Sequence, residues 1–428
     1  MKENHVLKKQ PFCKDFYLVL MGQIISLFGN QILRFALPLY LLNQTKSAAL
    51  FGIVSACSFF PMILLSPIGG IIADRVNKKN IMVFLDFSTA ALTLVFTLLL
   101  GKINLVGLLL VTLAILYGIQ GAYQPAVQAS IPQLVTPNKI LQANAMINLV
   151  NSLAGLIGPV IGGALYAFFG ISPILYVSIL CFLTSAIMEL FIHIPFTREK
   201  TSSNMFKLAI SDLSESFSFM RHKQPILWKV SLIIAAINLF LSALIIIGLP
   251  IIVTQTLSFD SQTGSRLYGY SQGALAAGSL AGGILTSMLT KKLNAENNYI
   301  LLLLCTLTLL PIGTALAFSI PPIYAYFIIV ISCFFMMLFA TLFSIRMMAY
   351  LQILTPSHLI GKVISCALCI GMCASPLGQA LYGTLFQFFS KTPYIIFFGA
   401  TVVSCMISLV SKNVFAGMNE RLTPERTY

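Results

Sequence analysis

Charge is scarce in this sequence. Of its 428 residues only 9% are Asp, Glu, Lys or Arg, and the acids number just 12. A water-soluble protein of this length needs far more charge to cover its surface, so water is not its main solvent. Histidine occurs four times, at His5, His193, His222 and His358. These fall on separate loops and span ends, so no cluster suited to general acid–base catalysis forms. A phosphate-cradling GxxxxGK[ST] loop is absent, which excludes a nucleotide-driven pump. Of the nine cysteines, Cys366, Cys369 and Cys373 share a helix face. Neither His nor carboxylate accompanies them, so this face reads as packing rather than a metal site.

What the chain has in abundance is apolar length. Hydrophobic residues make up 58% of it, and its mean hydropathy is +0.91. About 20 apolar residues suffice to cross the hydrocarbon core as a helix. The runs are continuous rather than alternating, which excludes a β-barrel. Counting places twelve spans, at 16–42, 47–72, 80–101, 104–131, 139–168, 172–194, 226–254, 267–290, 298–319, 321–350, 360–389 and 392–412. The first is too long for a signal-peptide core and reads as a retained helix. The expected class is an all-α polytopic membrane protein.

The net charge of +14 could suggest nucleic acid, but its distribution points elsewhere. Twenty of the 26 basic residues fall on the side that holds both termini, four on the other, and Arg34 and Arg346 within spans. That bias places both termini in the cytoplasm by the positive-inside rule. Short tails and loops suit a prokaryotic plasma membrane, and a monomer is expected.

Residues 195–225 form the long polar connection between two six-span halves, 1–194 and 226–428. Within it Phe206, Ile210, Leu213, Phe217 and Met220 recur at helical spacing. An amphipathic helix lying on the inner membrane surface is expected there. The halves also resemble each other. GGIIADRVNKK (69–79) aligns with GGILTSMLTKK 213 residues later, and LVTPNKILQAN (134–144) with ILTPSHLIGKV 219 residues later. Duplicated six-helix units mark many secondary transporters, whose binding sites lie at the midplane between repeats.

The 69–80 stretch concentrates charge at the end of span 2. Gly69 and Gly70 permit close approach of another helix, Asp74 offers a lone carboxylate, and Arg75, Lys78 and Lys79 anchor the loop. Gly70 to Lys79 resembles the loop signature of the major facilitator superfamily. Asn77 stands where that family has a second glycine, and asparagine tolerates positive φ. The second copy keeps Gly283, Lys291 and Lys292 but has Ser287 and Met288 in place of the acid and arginine. In span 5, AGLIGPVIGG (154–163) is similar to the Gly-Pro signature of antiporters in that superfamily, through Gly158, Pro159, Gly162 and Gly163. Residues 128–144 look like the span 4–5 junction of its macrolide-efflux-like branch.

The resemblance implies a proton-coupled exporter of lipophilic or amphipathic small molecules working by alternating access, with no cofactor. A lysophospholipid flippase or an uncoupled facilitator of the same fold is the alternative. It also implies that spans 1, 4, 7 and 10 line a cavity. Polar stripes occur on span 1 (Gln23, Ser26, Asn30, Arg34) and span 4 (Tyr117, Gln120, Gln124, Gln128), with Asn238 and Ser242 on span 7. Span 10 carries Phe334, Phe335, Met336, Met337 and Phe339. The expected substrate-cavity residues are Gln23, Asn30, Arg34, Tyr117, Gln120, Gln124, Asn238, Met336 and Met337. Helix glue between buried amides competes with that role, above all for Asn144, Asn148 and Asn151 of span 5. Asp74, Asp86 and Glu189 are the candidate proton carriers. Tyr117 stands where the family's proton-driven antiporters have an arginine, although Gln120 and Gly121 remain.

Overall fold

The computed structural model describes residues 14–136, 139–194, 214–289, 298–318, 320–356 and 359–422. Twelve long helices account for most of them. The first six are α1 (Lys14–Thr45), α2 (Ala48–Arg75), α3 (Lys78–Leu99), α4 (Leu105–Leu134), α5 (Ile140–Phe169) and α6 (Ile171–Leu190). The second six are α7 (Pro225–Thr256), α8 (Ser261–Leu289), α9 (Asn298–Ala317), α10 (Pro322–Ile353), α11 (Ile360–Phe388) and α12 (Tyr394–Leu422). Among the described residues, eleven helices are long and apolar enough to cross a membrane. The twelfth, α8, is a 29-residue helix rich in Gly, Ser and Gln. It packs between α5 and α10, so small side chains replace apolar bulk where helices come close.

Helices dominate because lipid offers backbone N–H and C=O groups no other partner. Their starts are set locally. The Ser47 hydroxyl accepts from Leu50 N at 3.3 Å to open α2, and Asn104 accepts from Gly107 N at 3.1 Å to open α4. Pro225 and Pro322 each occupy a first helical turn, where a missing N–H costs nothing. Gly170, at φ 74°, makes the tight link from α5 to α6. Serine and threonine hydroxyls inside the spans are satisfied by carbonyls one turn back, as in Thr93 to Thr89 O at 2.8 Å.

Two spans depart from uniform helix. The α7 helix widens into π-type turns at Asn238–Ser242 and Ile252–Thr256. The α9 helix breaks at Thr308, whose hydroxyl donates to Cys305 O at 2.6 Å. Of the expected linker helix, Phe206, Ile210 and Leu213 lie outside the described residues, and residues 214–223 are helical. One face of this segment packs inward and the other is exposed. Met220 is fully buried against α7, and Phe217 meets Trp228 edge-on with ring centres 4.9 Å apart.

The two six-helix halves meet through α2 against α11 and α5 against α8. Both contacts are backbone to backbone. A carbon placed on Gly52 would lie 2.6 Å from Gly383 Cα, and one on Gly163 would lie 2.9 Å from Gly269 Cα. Polar contacts close the same end of the bundle. Ser47 Oγ donates to Gln387 at 3.2 Å, and Gln255 donates to Leu42 O at 3.4 Å. Further along α5, Gly155 has nothing within 4 Å of where a side chain would start, and there the halves enclose a cavity.

Candidate functional site

The cavity measures 610 Å³ and adjoins a second of 380 Å³. The half formed by α7–α12 supplies most of the wall, including Asn238, Ser242, Gln272, Met336, Met337 and Met372. The half formed by α1–α6 adds Phe59 of α2 and Ser152 and Gly155 of α5. Among the described residues no Asp, Glu, Lys, Arg or His lines either space. Asn238 sits at the first π-type turn of α7, where its amide nitrogen returns to Ile234 O at 3.0 Å. Its carbonyl oxygen is thereby left for another partner. Met336 is 4% exposed, with its backbone carbonyl accepting from Cys305 Sγ at 3.5 Å. Of the aromatic residues on α10, Phe335 points outward at 44% exposed. On α10 the thioethers of Met336 and Met337 line the larger cavity, and Phe343 joins Met337 on the wall of the adjoining one.

The α1 and α4 stripes zip against each other. Gln23 Nε2 donates to Tyr123 OH at 2.6 Å, and Arg34 Nη1 donates to Gln120 Oε1. The Arg34 guanidinium lies 4.2 Å over the Tyr117 ring, which in turn meets Phe59 at 5.5 Å. Phe59 lines the cavity, so Arg34 and Tyr117 stand just behind its wall. Gln23 is fully buried at the other end of the zipper. Asn30 and Gln124 line a water-sized void between the two helices.

That deep end holds the acids. Asp86 of α3 accepts from Ser26 Oγ at 2.9 Å, and Glu189 of α6 accepts from Tyr123 OH at 2.9 Å. Asp86 is 3% exposed and Glu189 is fully buried. Three oxygens in this cluster lack a hydrogen-bond donor, namely Asp86 Oδ2, Glu189 Oε2 and Gln23 Oε1. Asp86 lies about two turns into α3 and Glu189 in the last turn of α6, and burying two carboxyls together away from water is costly enough to point to an ion or proton shared between them. Two acids far apart in sequence thus meet through α1 and α4.

The glycine–proline motif of α5 serves two neighbours. Gly158 and Gly162 seat α1, with side-chain positions 2.6 Å from Gln31 Cβ and 3.3 Å from Phe35 Cδ1. Gly163 and the Pro159 carbonyl meet Gly269 of α8, which makes the motif part of the contact between halves. Gly70, Asp74 and Arg75 lie in the last turns of α2, and their side chains are outside the described residues. Nearby, Gly69 seats Ala122 of α4 at 2.5 Å. Lys78 begins α3 and is 6% exposed, and Lys79 N donates to Asn77 Oδ1 at 3.0 Å. Contrary to expectation, Asn77 does not stand in for glycine through positive φ. Its φ is −57°, and it serves as the N-cap of α3.

Sequence reasoning missed Tyr123, Gln272, Met372 and Phe59. Tyr123 precedes Gln124 and falls off the stripe of Gln120, Gln124 and Gln128, which are spaced four apart. Its role depends on a partner from α6, which spacing within one helix does not reveal. Of span 5, Asn144 donates to Ile140 O at 3.0 Å within its own helix.

The family model described as Major Facilitator Superfamily matches residues 19–379. Macrolide efflux protein A of Streptococcus pyogenes is 24% identical over 369 residues, covering 86% of this chain and 88% of that protein. Lysophospholipid transporter LplT of Photorhabdus laumondii is 30% identical over 147 residues, 34% of this chain and 35% of that one. Among solved structures, a bacterial homologue of the human lysosomal transporter Spinster, inward-facing and unoccupied, superposes with a TM-score of 0.70 at 13% identity. The match covers 95% of this chain and 98% of that one.

Proposed function

The chain belongs to the Major Facilitator Superfamily, a family of membrane transporters rather than enzymes, and within it we propose an exporter of amphipathic, macrolide-like molecules that works by exchange for protons. The observation that carries this reading is the uncharged cavity between the halves, walled by Met336, Met337 and Met372 with Asn238 and Gln272 among them. Thioethers re-pack around cargo of different shapes, and a few amides fix its polar groups. An ion or a sugar would need more charge or more hydrogen bonds than this wall offers.

Alternating access fits the glycine contacts at one end of the bundle and the open space beyond Gly155. With the termini in the cytoplasm, this conformation faces inward. The α5 motif then acts as a sliding contact on α8, and Asp74 and Arg75 latch the opposite conformation. The similarity to macrolide efflux protein A, spread over most of both chains, supports macrolide-like cargo. The partial similarity to LplT keeps lysolipid as the competing cargo.

Inside-out vesicles carrying the protein test the reading. They are energised, an internal-acid dye is followed, and macrolides, cationic dyes or lysolipids are added in turn. Dequenching by macrolides supports the proposal. Dequenching by lysolipids alone replaces the cargo, and cargo equilibrating with no dequenching removes proton exchange.

A further inference from the structure

We infer that Asp86 and Glu189 form a single proton-binding site, a carboxyl pair holding one exchangeable proton and set apart from the cargo cavity. This deepens the exchange reading above and rests on it.

The argument is a count of donors. Around the pair stand Gln23 and Ser26 from α1, Tyr123 from α4 and Ser185 from α6. The Ser185 hydroxyl also reaches Asp86, but it has a single hydrogen, which it donates to Gly22 O at 3.0 Å. Tyr123 gives its only hydrogen to Glu189 Oε1 and receives one from Gln23. With both carboxyls ionised, Asp86 Oδ2, Glu189 Oε2 and Gln23 Oε1 face no donor, although each residue is at most 3% exposed. Among the described residues no base comes within ion-pair distance of either acid. Arg34, two turns further along α1, is engaged by Gln120 and Tyr117. One proton on either carboxyl supplies an O–H to the cluster and halves its charge. The network is therefore built around a hydrogen that the side chains do not themselves provide.

The site also has room for a water beside it. A void of 10 Å³, room for about one water, touches Asp86, Ser26, Asn30, Gln120, Tyr123 and Gln124. Gln120, on its far side, is the residue that accepts from Arg34. Neither acid lines the cavity itself, so cargo and proton occupy different places. Their exchange is then conveyed by movement of α1 and α4 rather than by direct competition.

Infrared difference spectroscopy of the full-length protein in lipid nanodiscs, titrated in sodium-free buffer, tests the site. The expected result is a protonated-carboxyl band that titrates as one proton per chain. Asp86→Asn and Glu189→Gln, each monodisperse, move the band in frequency and in the pH at which it titrates, and the double substitution abolishes it. Tyr123→Phe keeps both acids and shifts the band, because the hydrogen bond to Glu189 is gone. A wild-type protein with no titrating band, or a band unmoved by all three substitutions, overturns the inference. So does loss of the band on adding sodium chloride at constant pH, which makes the oxygens a sodium site. Erythromycin transport by the same variants reconstituted in sealed proteoliposomes separates this inference from the cargo reading. A band without macrolide transport upholds the pair and removes the cargo.

Discussion

Gly52 of α2 and Gly383 of α11 touch through their backbones, so close that a carbon added to either would lie 2.6–2.7 Å from the other's Cα. The groups it would meet are main chain and cannot rotate away. Gly52→Val therefore prises the halves apart at that end. Overpacking of this kind costs about 1–3 kcal/mol, roughly a 5–150-fold change in a two-state population. In a cysteine-free background with Ala48→Cys as reporter, the change raises labelling by a membrane-impermeant maleimide. Unaltered labelling would show that this contact does not hold the end closed.

Those contacts explain what was legible in the sequence. Long apolar runs fix helices because lipid leaves the backbone no alternative, and every expected span has a helix, although α8 begins six residues earlier than its apolar stretch suggests. Small residues announced close contacts without naming partners. The Gly158–Gly163 cluster was visible, yet that it serves both α1 and α8 depends on how the halves fold together. The candidate site was legible one stripe at a time. Gln23 and Gln120 looked alike as cavity amides, but Gln23 bonds Tyr123 in the interior and Gln120 bonds Arg34 near the cavity wall. Asp86 and Glu189 were visible as two rare acids. Their meeting depends on the packing of α3 and α6, to which helical periodicity is blind.

The cavity wall predicts unequal effects of two substitutions. Met337→Trp fills space in the region that adjoins both cavities and leaves the fold intact. Export of a bulky macrolide should fall roughly tenfold or more while a small cationic dye is spared. Asn238→Ala removes one hydrogen bond of a kind that averages about 0.6 kcal/mol between membrane helices, so KM rises only about threefold. Equal losses for large and small cargo in Met337→Trp would argue against the cavity as the binding place.

Lys362 at the start of α11 pairs with Glu215 of the 214–223 helix at 2.8 Å, with side chains 36% and 56% exposed. Exposed pairs of this kind contribute about 0–1 kcal/mol. Lys362→Gln should therefore shift the unfolding midpoint very little. Met220→Ala, a fully buried neighbour on the same segment, should cost about 2–5 kcal/mol. Thermal unfolding in detergent compares them, and a larger loss from the lysine would mean that the ion pair, not the buried thioether, fastens the segment.

Arg34 carries a prediction in which function and stability part company. A charge near the centre of a span costs about 2.5–3.5 kcal/mol on insertion scales. The side chain is retained against that cost while donating to Gln120 and lying 4.2 Å over Tyr117, just behind the cavity wall. Arg34→Ala removes the cost and leaves Gln120 without its donor. The unfolding midpoint should hold or rise, while transport falls at least roughly tenfold. Arg34→Lys keeps the charge, but an ammonium lacks the planar fork that donates to an amide while stacking on a ring. It should restore only part of the rate. Purified variants measured side by side for unfolding and for erythromycin efflux decide the matter. A destabilised Arg34→Ala with a normal rate per folded molecule would reduce the residue to a structural tie between α1 and α4. A stable variant with little transport would place it in the linkage between the buried acids and the cavity.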